Sequence, residues 1–184
     1  TLTNHSIAGV FWLALGLALG SSFAPFLGGK IYVFMHEVKH AIVASLAGNK
    51  WKRMTINNKE GAYEYSYSKQ TAHLNAFIAL APYWFPLLTI PMALFSFSKI
   101  LSFEAMRIAM GFVFGIDLVT GIKDLGPYQT DLTNIRGGSK IGILYVSLML
   151  TLSSSLVIAW SIHGIDGIVS SIKILIDHQQ PYLD

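Results

Sequence analysis

The chain has no cysteine and little charge. Without cysteine, structural disulfides and thiolate metal sites are excluded, and the redox compartment leaves no mark. Charged residues make up 12% of the 184 residues, about half the share of a typical soluble protein. Hydrophobic residues make up 53%. This composition excludes a disordered chain and argues against an ordinary soluble domain. Internal repeats and low-complexity tracts are also missing. The formal net charge is +3. In so apolar a chain, an excess of Lys and Arg reads as membrane topology before nucleic acid. Lys50-Trp51-Lys52-Arg53 is accordingly a topology anchor, and no nucleic-acid partner is expected.

What the chain has in quantity is long apolar runs. From Ser6 to Gly29 no residue is charged, and about 20 apolar residues suffice to cross a bilayer. The run lacks a basic front and a small-residue cleavage site, so it reads as a retained anchor rather than a removed signal. A second run, Ile31 to Ala47, contains His36, Glu37, Lys39 and His40. A third, Thr71 to Ser98, carries Pro82, Pro86 and Pro91. A fourth, Phe103 to Gly121, includes Arg107 and Asp117, and a fifth, Ile141 to Ile162, is uncharged. In the tail from Gly164 to His178, Ile165, Ile168, Val169, Ile172 and Leu175 recur at helical spacing, which predicts an amphipathic surface helix.

Between the second and third runs, Asn49 to Ser68 is polar and alternating. Tyr63, Tyr65 and Tyr67 fall on one strand face, and the turn residues of Asn57-Asn58-Lys59-Glu60-Gly61 predict a β-hairpin. The expected fold class is therefore an all-α polytopic membrane protein of about five transmembrane helices. A small β-hairpin follows the second helix and an amphipathic helix ends the chain. Residues 1–184 read as a single membrane-embedded domain in contact with the lipid bilayer. With five spans, the 49–70 and 122–140 loops share one side. Their basic residues place that side in the cytoplasm and the C-terminal tail outside.

The chemistry concentrates in His36-Glu37-Val38-Lys39-His40. Positions i and i+4 share a helix face. Two imidazoles so placed can bind one zinc ion, and the intervening Glu can accept a proton from the attacking water. Chance seldom writes this pattern in a chain with six histidines. Ionisable residues inside an apolar span are costly and mark function by default. The bland alternative is a pair of hydrogen-bonded core histidines with Glu37 paired to Lys39.

These residues, with their surroundings, resemble the site-2 protease family of intramembrane zinc metalloproteases, and most closely its small, compact branch. The matching pieces are FMHEVKHAIVASLAGNK (34–50), GAYEYSYS (61–68), ALAPYW (79–84) and YQTDLTNIRGG (128–138). The resemblance implies a polytopic zinc protease acting on membrane or membrane-proximal protein or peptide substrates. It implies a multi-pass integral protein of a bacterial-type inner or plasma membrane. It further implies His36 and His40 as ligands, Glu37 as general base, and an Asp from a later segment as third ligand. Asp131 matches best, with Asp117 the alternative inside a span and Asp124 a third. Tyr65 and Tyr67 would line a strand edge that receives an extended substrate, or stand as interfacial aromatics.

Two departures stand out. Larger family members carry Gly-Pro-x-x-Asn in the third span. Here Ala81-Pro82 is followed by Phe85 at that place, with His73 or Asn75 as substitutes for substrate contact or as capping residues. Lys39 puts a cation between the metal ligands. Both departures leave open an idle, protease-like scaffold within a larger membrane complex.

Overall fold

The computed structural model describes residues 2–58, 60–123, 125–126 and 129–177. Helix α1 (Leu2–Phe23) gives way to a short 3-10 turn at Pro25, and α2 (Gly29–Leu46) follows. Gly48, at φ +77°, ends α2 in the left-handed conformation that favours glycine. The amides of Gly48 and Asn49 then bond back to Ser45 and Ala44. Strands β1 (Lys50–Ile56) and β2 (Gly61–Ser66) form the expected antiparallel hairpin. Trp51 opposes Tyr65 and Met54 opposes Tyr63, with a bulge between Trp51 and Arg53. The rings of Tyr63, Tyr65 and Tyr67 stack along one face at 5.7 and 6.2 Å.

Next come α3 (Asn75–Ala79), α4 (Ala81–Trp84) and α5 (Thr89–Phe95). The long helices α6 (Phe103–Lys123) and α8 (Gly138–His163) flank the one-turn α7 (Thr130–Thr133). The tail helix is α9 (Ile165–Asp177). It is amphipathic as expected: Ile168 packs on the bundle core while Ile165, Val169 and Ile172 stay exposed. The side chain of Leu175 lies outside the described residues.

Among the described residues, three helical segments are long and apolar enough to cross a membrane: Ser6–Phe26, Phe103–Lys123 and Gly138–His163. The 18-residue α2 has the length, but its three charged residues keep it outside that apolar set. The third apolar run is not one helix. Pro82 sits in the first turn of α4, Pro86 follows its end, and Pro91 lies in the first turn of α5. At these places a missing backbone N–H costs least, so the prolines divide the run into short helices.

α1 and α6 run side by side in the same direction. Gly16 and Gly20 of α1 rest on the backbone of Ile108 and Phe112, and Gly111 and Gly115 of α6 rest on Leu13, Leu17 and Ser21. Glycines four apart on both helices remove the side chains that would hold the backbones apart. α8 packs antiparallel to both, and Arg107 Nε donates to the Ser161 carbonyl at 2.6 Å. Leu13, Met106, Met110, Phe114, Val157 and Trp160 fill the space between the three helices. Leu144, Leu148, Leu152 and Ile158 of α8 face outward, as expected of a surface bathed in lipid.

α2 runs opposite to α6, and Tyr32 Oη donates to the Thr120 carbonyl at 2.8 Å. The hairpin lies along α2 for most of its length. Asn58 meets Gly29, and Gly61 meets Val33 and Glu37. The segment from α3 to α5 starts at the Leu46 end of the bundle. It reaches Gly121 through Tyr83 and Asp117 through Thr89, then returns so that Phe97 shares a cavity wall with Phe103.

This course overturns the expected topology. Because the 71–98 segment turns back, the 49–70 and 122–140 loops open at opposite ends of the bundle, not on one side. Lys50, Lys69 and Lys99 then mark one end, and Lys30, Lys123, Arg136 and Lys140 the other. The charge asymmetry that was to orient the chain is thereby divided.

The glycine contacts carry a test. Gly16→Val would push a branched side chain into the Ile108 backbone, at a cost of about 1–3 kcal/mol or more. Gly28→Ala, where nothing lies within 4 Å, serves as the near-neutral control. Thermal unfolding in detergent should lower the midpoint for the first and not the second.

Candidate metal centre

The i, i+4 spacing on α2 sets the rings of His36 and His40 edge-to-face with centroids 5.1 Å apart. Their Nε2 atoms point at the same carboxylate oxygen, Asp131 Oδ2, at 3.6 and 3.5 Å. The three potential ligand atoms lie within 4.8 Å of one another. His40 Nδ1 is 2.9 Å from the carbonyl oxygen of Ile78. A carbonyl only accepts, so Nδ1 carries the proton and Nε2 keeps its lone pair directed at the cluster. Two nitrogen donors and one carboxylate oxygen are the donor set that zinc prefers, so the residues present fit a divalent cation.

Asp131 reaches the histidines because its neighbour is anchored. Leu132 is fully buried against Leu80, Tyr83 and Val146, and Gly142 leaves room for it on α8. One turn of helix at α7 then directs Asp131 toward α2. Burial alone would raise the carboxyl pKa, but His36 and His40 in their protonated forms, which carry charge and can donate from Nε2, outweigh it. They hold the carboxyl well below the usual carboxylate range. The same field would accommodate a cation between the three groups.

Depth does not separate these residues. Counted from Ala47, His36 is deep inside its helix. The 122–140 loop, however, opens at the Gly29 end, from which His36 is only about 10 Å away at 1.5 Å per residue.

Glu37 is buried beside the histidines and packs against Gly61 of β2. A β-carbon at position 61 would lie 2.6 Å from Glu37 Oε1, so glycine is what allows the hairpin this close. Together these residues line a cavity of about 460 Å³ that also includes Tyr65 and Thr130. Tyr65 Oη is 3.4 Å from Asn75 Oδ1. Burial first, and then Tyr67, Tyr63 and Asp131, raise the pKa of the Tyr65 hydroxyl and keep it protonated.

The remaining candidates lie elsewhere. Tyr67 is 57% exposed and His73 is exposed on the 72–74 turn. Neither lines the cavity, and Asn75 meets Tyr65 rather than the cavity itself. Asp117 is turned away from the histidines. Its Oδ2 accepts from the Leu88 and Thr89 amides and from the Thr89 hydroxyl at 2.9, 2.9 and 2.8 Å. Asp124 lies outside the described residues.

Three contributors carry no recognised sequence signal. The Ile78 carbonyl has no side-chain signature. Gly61 reads as a turn residue. Tyr83, fully buried, donates to Asp131 Oδ2 at 3.5 Å and sets its ring edge-on to His36 at 6.0 Å. Its place within Ala81-Pro82-Tyr83-Trp84 is the available hint.

A family model described as Peptidase M50B-like matches residues 8–128, a stretch that includes His36 to His40 and ends before Asp131. No curated protein and no solved structure matches the chain.

If Asp131 is the third ligand, Asp131→Ala should weaken zinc binding by about 10-fold or more, the scale set by changes to outer-shell partners alone. Competition with a chromophoric chelator measures this. An unchanged dissociation constant would remove Asp131 from the ligand set.

Proposed function

The chain belongs to the Peptidase M50B-like family, and on that footing we propose that it is a multi-pass zinc metallopeptidase hydrolysing peptide bonds of membrane or membrane-proximal substrates. The observation that carries the reading is the convergence of His36, His40 and Asp131 on one point beside a buried Glu37, in a cavity of about 460 Å³. We take residues 1–184 as one membrane-embedded unit of a bacterial-type inner or plasma membrane. In it α1, α2, α6 and α8 cross, while the 71–98 segment enters and returns; this is one crossing fewer than the apolar runs implied.

In this mechanism His36, His40 and Asp131 would hold the ion. A zinc ion held by them supplies a Lewis acid that polarises the scissile carbonyl and acidifies water near neutral pH. Glu37 accepts the proton of the attacking water and passes it to the nitrogen of the departing amine. The Ile78 carbonyl holds His40 in one tautomer throughout. Close packing under Gly61 holds the Glu37 carboxylate in the cavity wall beside the ligand set. The hairpin edge next to Tyr65 offers main-chain groups to an extended substrate.

An idle scaffold within a larger complex is the second reading, and Phe85 standing where larger relatives place Asn is the feature that favours it. Glu37→Gln separates the two. The substitution keeps shape and removes the base, so zinc content should be unchanged while cleavage of a reporter transmembrane substrate falls to background. Equal biological effect from wild type and Glu37→Gln would support the scaffold.

A further inference from the structure

Lys39 stands between the two histidines in sequence, yet its side chain leaves the cavity. On the helix it lies about 160° from Glu37. It is 2% exposed. Its Nζ sits 3.8 Å from Asp117 Oδ1 and donates to the Pro82 carbonyl at 3.3 Å. The other oxygen of Asp117 collects the amides of Leu88 and Thr89 and the Thr89 hydroxyl. One ammonium and one carboxylate thus join α2, α6 and both halves of the returning segment. The parts they join are those that build the site. Tyr83 follows Pro82 directly and touches Asp131 and His36, and Ile78, on the same short-helix unit, holds His40.

A buried ion pair is a poor device for stability, because desolvating both charges offsets their attraction; apolar replacements are often as stable or more so. Its best-attested use is to fix register. Apart from the Tyr32–Thr120 bond two turns nearer its start and the His40–Ile78 bond at the site itself, α2 packs through apolar residues such as Met35, Val43 and Ala44, which carry little directional information. We propose that Lys39 is a positioning residue. Its pairing with Asp117 pins the rotation and height of α2 so that both imidazoles face Asp131. A slip of one residue turns a helix by about 100°, enough to carry His36 and His40 off the carboxylate.

The inference rests on the ligand set proposed above, and the experiment tests the two separately. Wild type, His40→Ala, and the double variant Lys39→Met with Asp117→Asn are purified in detergent without metal and titrated with Co²⁺. The double variant leaves no lone buried charge, and the side-chain amide introduced by Asp117→Asn retains an acceptor oxygen for Leu88 and Thr89. Its metal-free unfolding midpoint should match or exceed that of wild type. Its tetrahedral cobalt absorption should weaken, with the dissociation constant raised about 10-fold or more. A double variant with wild-type spectrum and affinity overturns the pin. So does one that fails to fold or unfolds much earlier, because the pair is then a structural support. If wild type and His40→Ala titrate alike, the ligand set itself is wrong, whatever the double variant does.

Discussion

A charged or hydrogen-bonding group carried into an apolar bundle is stable only where another protein group replaces water. Most of this architecture answers that demand. Arg107 meets the Ser161 carbonyl and lies over the Phe103 ring. Lys39 meets Asp117, which in turn gathers the amides at the start of α5. His40 meets the Ile78 carbonyl. The broken segment from α3 to α5 supplies many of these partners. Irregular backbone has free amides and carbonyls to offer, which an unbroken helix does not. The prolines that prevent a fifth straight span thereby create the polar lining that the motif helix needs.

The same demand explains what could be read from the residues and what could not. The i, i+4 spacing of His36 and His40 translates directly into shared facing, because helix geometry is local. The apolar runs that became α1, α6 and α8, the tyrosine alternation of the hairpin, and the tail helix are local patterns as well. The returning segment reads as a straight span because hydropathy counts apolar residues and ignores direction. With it go the sidedness of the loops and the apparent distance between His36 and Asp131. Tyr83, the Ile78 carbonyl and the partner of Lys39 depend on long-range packing, for which one sequence carries no period. The paired glycines of α1 and α6 are visible as spacing, but only packing gives them meaning.

Lys39, unusual between two potential ligands, lies about 160° around its helix from Glu37 but only about 60° from His36. α2 is thus amphipathic in an uncommon sense: adjoining stripes carry the chemistry and an ion pair, with apolar contacts at Met35 and Val43 on either side of Lys39. The Lys39 ammonium is turned to Asp117 and the Pro82 carbonyl and does not line the cavity, so the unusual residue and the site coexist without conflict.

The position of Asp131 also implies an order of events. It lies on a single helical turn held in place by Leu132, whose pocket is completed by Val146 of α8. During synthesis His36, Glu37 and His40 are made early, and Asp131 only after α6. Leu80 and Tyr83 offer one wall for the turn, but its pocket stays open until α8 has packed. A half-built chain therefore holds two histidines and a glutamate without their carboxylate partner. The centre closes only when the last long helix is seated, so a hydrolytic site would not exist before the bundle that confines it.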